Sequence, residues 1–209
     1  MSLTKFRLVI NLTREMLKKA ALALFVKDGY EGARLVDIAK AVNIKTPSIY
    51  FHFTSKEHLF TELFDDIRDK KFANIAALHE KLLELTSCRD RLFCLYTDFS
   101  DRGYEDNEEV IYWKRCALFP PSFLKEKIHQ DLIAYQHKFV DELLRPVFID
   151  GIKAKELRDV DVEKCIVVFL SMIQGMFSEF RYSELDAYKT KIAMLWEYFW
   201  NSIKDVNRD

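Results

Sequence analysis

The chain carries 209 residues, 49% of them apolar, with a net charge of −1, so one large domain or two small ones can bury a sizeable core. Only 5 glycines and 4 prolines are present, which disfavours a strand-and-turn protein, favours long helices and leaves no glycine pattern for a dinucleotide or phosphate loop. The near-neutral total hides an asymmetry: residues 1–60 hold ten Lys/Arg against five Asp/Glu, and residues 61–209 hold 22 against 28. A basic head on an acidic body suits a head that faces phosphates, with chance variation of surface charge as the alternative.

In chain order, the spacing predicts a first helix capped by Thr13, with Glu15 in its first turn, and stopped by Asp28-Gly29. Met16, Leu17, Ala20, Leu24 and Phe25 recur at helical spacing and are expected to face inward. A short helix over 35–42 puts Leu35, Ile38, Ala39 and Val42 on one face. Asn43 follows, a residue that tolerates the left-handed conformation of a sharp turn. A second short helix over 46–52 opens on Thr46-Pro47, where proline's fixed φ suits a first turn, and runs into the aromatic cluster Tyr50, Phe51 and Phe53. Thr54 and Glu57 read as a capping box for a long helix over 56–85. Further helices are expected over 90–100, ended by Asp101-Arg102-Gly103; over 107–118, ended by Pro120-Pro121; and over 122–149, capped by Ser122, bent by Pro146 and followed by Asp150-Gly151. Two last helices cover 161–182 and 184–204. The chain is thus all-α, with about nine helices.

The last two helices are apolar on more than one face. Ile166, Phe169, Leu170, Ile173, Met176, Phe177 and Phe180 fill one stripe of the first, widened by Val167, Val168 and Met172. Tyr188, Ile192, Leu195, Trp196, Phe199 and Ile203 do the same for the second, with Met194, Tyr198 and Trp200 in addition. Such helices are buried more than once, against the subunit core and against a second subunit, or are wholly enclosed in a monomer. Cys88, Cys94, Cys116 and Cys165 form no CxxC pair and no zinc-finger spacing with histidine, so they read as reduced, mostly buried thiols. The N-terminal stretch lacks the apolar run of a signal peptide, and the most apolar stretch, 165–177, is too interrupted to span a bilayer. A cytoplasmic protein without a membrane partner is the expectation.

The stretch RLVDIAKAVNIKTPSIYFHF, from Arg34 to Phe53, is two short helices joined by a tight turn, the arrangement that offers one helix to a DNA major groove. Ala20, Phe25, Gly29-Tyr30, Asp37-Ile38-Ala39, Ile44, Ser48-Ile49-Tyr50, His52-Phe53 and Ser55-Lys56-Glu57 follow in order without a gap. With these residues the segment from about Thr13 to Leu63 resembles the DNA-binding domain of the TetR family of transcriptional regulators. The rest resembles that family in length and helical character alone.

The resemblance implies an N-terminal three-helix helix-turn-helix domain over 9–56. It implies a helical ligand-binding and dimerisation domain over 57–204, paired across a two-fold axis through the helices near 161–182 and 184–204. Two recognition helices then meet a palindromic double-stranded operator. The DNA-binding candidates are Arg34, Lys45, Thr46, Pro47, Ser48, Tyr50, Phe51, His52 and Lys56. Resemblance gives the Tyr50 hydroxyl a phosphate oxygen, and Lys56, at a helix N-terminus, a phosphate held jointly with free backbone N–H groups; an ordinary solvated lysine is the alternative. Lys45 can donate to guanine, Thr46 and Ser48 suit either base or a phosphate, and Pro47 and Phe51 can touch a thymine methyl. His52 sits near a phosphate or caps the helix end. Ile44, Ile49 and Phe53 follow the inward spacing. Arg34 departs from the family's Ser or Thr cap, trading a cap for a cation near phosphate. Asn43 replaces the family's common glycine.

The family also implies an unidentified small-molecule effector, here apolar or aromatic. The side chains that can line its pocket are Phe93, Tyr96, Phe99, Tyr112, Trp113, Cys116, Phe119, Tyr135, Phe139, Met172 and Phe177, with core or dimer contacts as the alternative for each. No cofactor, metal or catalytic residue is expected: there is no HExxH, GxSxG or ligand-spaced Cys/His cluster. The function implied is a repressor released from its operator by the effector. The rival readings are a helical protein-interaction module and an enzyme.

Overall fold

The computed structural model describes residues 3–104, 108–180 and 184–206, and the side chains of 10–98, 108–176 and 184–206. Its helices are α1 (Leu3–Gly32), α2 (Leu35–Ala41), α3 (Thr46–Ile49), α4 (Lys56–Leu83), α5 (Cys88–Tyr104), α6 (Glu108–Leu118), α7 (Lys125–Phe139), α8 (Arg145–Lys153), α9 (Val162–Phe180) and α10 (Leu185–Ile203). A 3-10 turn (Ser122–Leu124) precedes α7, and a π-turn (Val140–Leu144) joins α7 end to end with α8. With 125–153 taken as one rod, the described residues form the nine-helix, all-α architecture that the periodicity predicts. Among them the only strand-like pairing is an isolated bridge, Leu157 with Lys204.

The boundaries correct the sequence in places. α1 begins ten residues before Thr13, so Thr13 is not its cap. Met16 turns outward, while Ala21 and Leu22 are buried beside Leu17 and Phe25. α4 is capped by Ser55, whose Oγ accepts the His58 N–H at 3.0 Å, and the His58 ring Nδ1 accepts the Thr54 N–H at 3.1 Å. A Ser55/His58 pair thus replaces the expected Thr54/Glu57 box. α5 starts at Cys88 because Ser87 Oγ caps it, accepting the Asp90 N–H at 2.9 Å, and it continues through Gly103 to Tyr104. Asn107 and Tyr182, given as helix ends by the spacing, lie outside the described residues.

The chain divides into two compact units, Met1–Lys70 with Glu108–Leu132, and Lys71–Asn107 with Ile133–Asp209. The first therefore reaches past residue 56 and takes in α6. Its core joins Leu17, Ala21 and Phe25 of α1 to Ile38, Ala39, Ile49 and Phe53, and to Leu59, Phe60, Leu63 and Phe64 of α4. Tyr112, Trp113 and Cys116 of α6 close it. Phe25 meets Phe60 edge-on at 5.0 Å, Trp113 stacks on Phe64 at 5.4 Å, and the buried Tyr112 hydroxyl donates to Phe60 O at 3.1 Å.

In the second unit α5, α8, α9 and α10 surround an aromatic centre. Phe169 lies 6.2 Å from Tyr96 and 5.7 Å from Phe199, and Tyr96 is 5.4 Å from Trp196. The Tyr96 hydroxyl donates to Ile192 O at 2.9 Å, so α5 and α10 are joined by a polar bond inside an apolar contact. Gly151, read as a terminator, lies instead within α8 and serves packing: a Cβ there would stand 2.5 Å from Cys88 Sγ and 2.9 Å from Leu157 Cδ1. All four cysteines are free and buried. Burial pushes the Cys88 and Cys116 thiols up to about 12, which leaves them protonated and unreactive at neutral pH. Among the described residues no helix is long and apolar enough to cross a membrane.

Candidate nucleic-acid interface

The turn between α2 and α3 is built by backbone rules. Asn43 takes a left-handed φ of 58°. Its N–H bonds to Lys40 O at 3.1 Å, and the Ile44 N–H bonds to Ala39 O at 3.0 Å. This is the paired hydrogen bonding of a Schellman ending, which satisfies the last carbonyls of α2. Lys45, in extended conformation, then starts α3 by accepting the Ser48 N–H at 2.8 Å, and Pro47 sits in the first turn. α3 proper ends at Ile49, short of the expected 52. Its hydrogen bonding continues as single turns, with Tyr50 N–H to Pro47 O at 3.2 Å and His52 N–H to Ile49 O at 2.8 Å.

This winding sorts the segment into two faces. Ile49 and Phe53, four residues apart, are buried in the head, as the inward spacing predicts, and Ile44 is half-buried. Pro47, Tyr50 and Phe51, at relative positions i, i+3 and i+4, stand together on the outside with Lys45. Phe51 is 89% exposed and Tyr50 55%. Thr46, Ser48 and His52 are half-buried at the margins. The His52 Nδ1 is a buried atom without a hydrogen-bond partner. Burial and the nearby Arg14 cation hold its ring below the usual histidine range, and therefore neutral at pH 7.

Two cations, Arg14 and Lys56, hold the segment in place, and a third, Arg34, lies at its edge; the spacing points to Lys56 and Arg34 but not to Arg14. Arg14 of α1 donates from Nη1 to His52 O at 2.9 Å and lies 4.6 Å above the Phe53 ring. It also forks onto Glu62 of α4. Lys56 points inward: its ammonium donates to Tyr30 O at 2.8 Å and Ala33 O at 3.2 Å, 4.2 Å from the Tyr30 ring. That ties the start of α4 to the loop after α1, where an outward phosphate contact was expected. Arg34 is exposed and occupies the cap position of α2 without a capping bond. Its guanidinium meets Asp37 at 2.7 and 3.3 Å, so a carboxylate already neutralises the cation that replaced the cap.

A model of bacterial regulatory proteins of the tetR family matches residues 17–63. The biofilm operon icaADBC HTH-type negative transcriptional regulator IcaR of Staphylococcus aureus (strain Newman) is 34% identical over 97 residues, covering 41% of this chain and 52% of that protein. A TetR transcriptional regulator from Chloroflexus aurantiacus J-10-FL shares the fold with a TM-score of 0.67 at 20% identity, over 94% of this chain and 98% of that one. The similarity to the tetR family is thus carried in sequence by residues 17–63, and over the rest of the chain by the fold. The chain spans about half the length of the curated relatives it matches. The fold is also that of the transcriptional regulator FadR from Bacillus subtilis in complex with stearoyl-CoA, with a TM-score of 0.57 at 17% identity, over 90% of this chain and 95% of that one.

The side chains that the resemblance assigns to an effector pocket are dispersed. Tyr112, Trp113 and Cys116 belong to the packed core of the first unit, and Phe119 is exposed. Tyr96 and Phe139 are buried in the core of the second unit, with Tyr135 and Met172 packed against it and Phe93 part-exposed beside Trp196. Phe99 and Phe177 lie outside the residues whose side chains are described. What α9 and α10 do form is an open apolar groove of about 870 Å³. Val167, Val168, Met172, Ile192, Met194, Leu195 and Tyr198 line it, with Lys191 at its margin. Met194 is 67% exposed and Tyr198 81%.

Proposed function

We propose that the protein is a dimeric transcriptional repressor that binds a palindromic operator through Lys45–Tyr50–Phe51 and their neighbours, and that an apolar effector releases it. The observation that carries the reading is the division of the 44–53 segment. Its inward residues are locked in the head, while the side chains of Lys45, Pro47, Tyr50 and Phe51 are presented outward, away from the core. Exposed Lys40 and Lys45 provide positive charge beside them. Tyr50 donates its hydroxyl to a phosphate, and Lys45, Thr46 and Ser48 reach base edges or backbone. Arg34 joins the phosphates only after exchanging its partner Asp37. The matching staphylococcal regulator is named a negative one, which favours repression.

The dimer follows from α9 and α10. An apolar face this exposed is the mark of an interaction surface, and a second copy of the same two helices covers it. A charge placed there, Met194→Glu, is expected to weaken self-association about ten-fold, equal to about 1.4 kcal/mol, as read by sedimentation equilibrium. Operator affinity falls with it, because one half-site alone binds weakly. The fold shared with a regulator that holds stearoyl-CoA favours a long apolar effector. An operator complex that no acyl thioester or aromatic acid loosens would remove the effector from the reading.

The deciding experiment is binding to a random duplex pool at stepped salt concentrations. Retention of specific palindromes, with a logarithmic salt slope reflecting several phosphate contacts, supports the reading. Tyr50→Phe is expected to weaken every retained sequence alike by about 1 kcal/mol, one hydrogen bond's worth. A loss confined to particular bases is inconsistent with a phosphate partner.

A further inference from the structure

We infer that the half-site read by this chain is rich in thymine, whose methyl groups pack on Pro47 and Phe51; this rests on the DNA-binding reading above. Between Ile44 and Phe53 there is no arginine, asparagine or glutamine. Arginine pairs with guanine, and asparagine and glutamine with adenine, through two hydrogen bonds in the major groove. Nor is there an aspartate or glutamate to accept from cytosine N4. Lys45 is the one side chain here suited to guanine O6 and N7, and the Thr46 and Ser48 hydroxyls suit any base. Polar readout is therefore sparse on this segment.

Its apolar side is strong. Phe51 is 89% exposed, although phenylalanine is among the residues most often buried. The inward positions of the same turn are already filled by Ile49 and Phe53, both buried. Pro47 stands four residues before Phe51 and is exposed as well, so the two flank one strip of surface. The thymine C5 methyl is the apolar group that a base pair displays in the major groove. A proline and a phenylalanine side by side, flanked by a lysine for the backbone, match a run of thymines better than any hydrogen-bonding pattern.

The test uses the full chain. Duplexes retained from the random pool are sequenced, and the best is then synthesised with deoxyuridine in place of thymidine, which deletes only the methyl. Thymine enrichment in both half-sites is expected, with about a four-fold loss of affinity for each contacted methyl removed, equivalent to roughly 0.8 kcal/mol. Phe51→Ala, which keeps its melting temperature because the ring is exposed, is expected to lose its share of the uracil penalty, and the double variant with Pro47→Ala to bind the thymine and uracil duplexes with nearly equal affinity. Guanine- and cytosine-rich half-sites, equal binding of the two duplexes by the unmodified protein, or a uracil penalty undiminished in the Phe51→Ala and Pro47→Ala double variant would each overturn the inference. Retention of a duplex without a uracil penalty leaves the regulator reading intact, whereas retention of no duplex at low salt removes both.

Discussion

Gly29→Ala lowers the stability of the N-terminal unit by about 3 kcal/mol, the sum of a backbone and a contact contribution. Gly29 interrupts α1 with φ 74° and ψ 177°, a conformation that belongs almost solely to glycine. Placing an L-residue there costs about 1–3 kcal/mol wherever the side chain goes. The space is also taken. An added Cβ would lie 2.5 Å from Arg115 Nη2 and 3.3 Å from Arg115 Cζ. Arg115 of α6 is there because its Nη1 reaches Val26 O, at 3.4 Å, near the end of the first stretch of α1. A guanidinium is the far end of a flexible chain, so it can swing away and lose that one long bond, about 0.5–1 kcal/mol. The backbone contribution therefore dominates. Arg115→Ala separates the two effects: the double variant recovers the collision but keeps the backbone penalty, so its urea midpoint stays near that of Gly29→Ala. A double variant as stable as Arg115→Ala alone would show that the collision, not the conformation, was the cause. Hydrogen exchange of the α1 and α2 amides assigns the loss to this unit.

The helix-turn-helix was legible because each of its signals is local. Asn43 announces a left-handed residue, Thr46-Pro47 a helix start, and the i, i+4 pair Ile49 and Phe53 an inward face; all three stand as expected. The same ending built from another residue type went unseen. α8 closes on Lys155 at φ 56°, with the Glu156 N–H bonded to Gly151 O and the Lys155 N–H to Ile152 O, the pattern that Asn43 and Ile44 use on α2. Lysine carries no signal for that conformation, so the spacing points to the nearby glycine as terminator, whereas its lack of a side chain makes room for Cys88. Pro146 was expected to bend a helix, and the structure shows how: the chain widens into a π-turn over Val140–Leu144 just ahead of it. That relieves the clash between a proline ring and the carbonyl four residues earlier.

The side chains that position the candidate interface were the least legible part. Arg14 meets Glu62 from 48 residues away and His52 from 38. Periodicity marks a polar position on α1 as solvated and gives no partner. Lys56 shows the converse. A motif placed it at a helix N-terminus, the location of a phosphate site, while the carbonyls of Tyr30 and Ala33 that hold its ammonium belong to a loop whose path only the tertiary structure reveals. The pocket candidates failed to converge for a similar reason. Aromatic residues at helical spacing fill cores and line cavities alike, and the spacing does not say which.

The cluster around Glu62 carries the second large effect: Glu62→Ala is expected to destabilise the N-terminal unit by about 2 kcal/mol. Glu62 Oε1 accepts from Arg14 Nε at 3.1 Å and lies 2.6 Å from Lys18 Nζ, and its Oε2 pairs with Arg14 Nη2. Lys18 is nearly enclosed, its side chain 11% exposed, but it keeps Asp66 at 2.7 Å when Glu62 is removed. The cost therefore falls below that of orphaning a fully buried charge, about 3–5 kcal/mol, and above that of an exposed pair, about 0–1 kcal/mol. The loss reaches the interface, because Arg14 released from Glu62 is no longer held against His52 O and the Phe53 ring. Burial pushes the Glu62 carboxyl up, and hydrogen bonds from Lys18 and Arg14 outweigh it, so its pKa lies below the ordinary 4.5. A carboxylate depressed on folding contributes fully above its unfolded pKa and ceases to contribute as pH falls through the folded one. Lys18 is opposite in sign: burial pushes it down, Asp66 and Glu62 raise it above 10.5, and its contribution fades only as pH climbs past that value. The gap between wild type and Glu62→Ala is thus flat from about pH 5 to 10 and narrows below 4.5. Urea midpoints at pH 7 and pH 3 measure it, with Glu62→Gln falling between the two at pH 7. A gap of equal size at both pH values would mean that Glu62 acts through packing, and Arg14 would need another anchor.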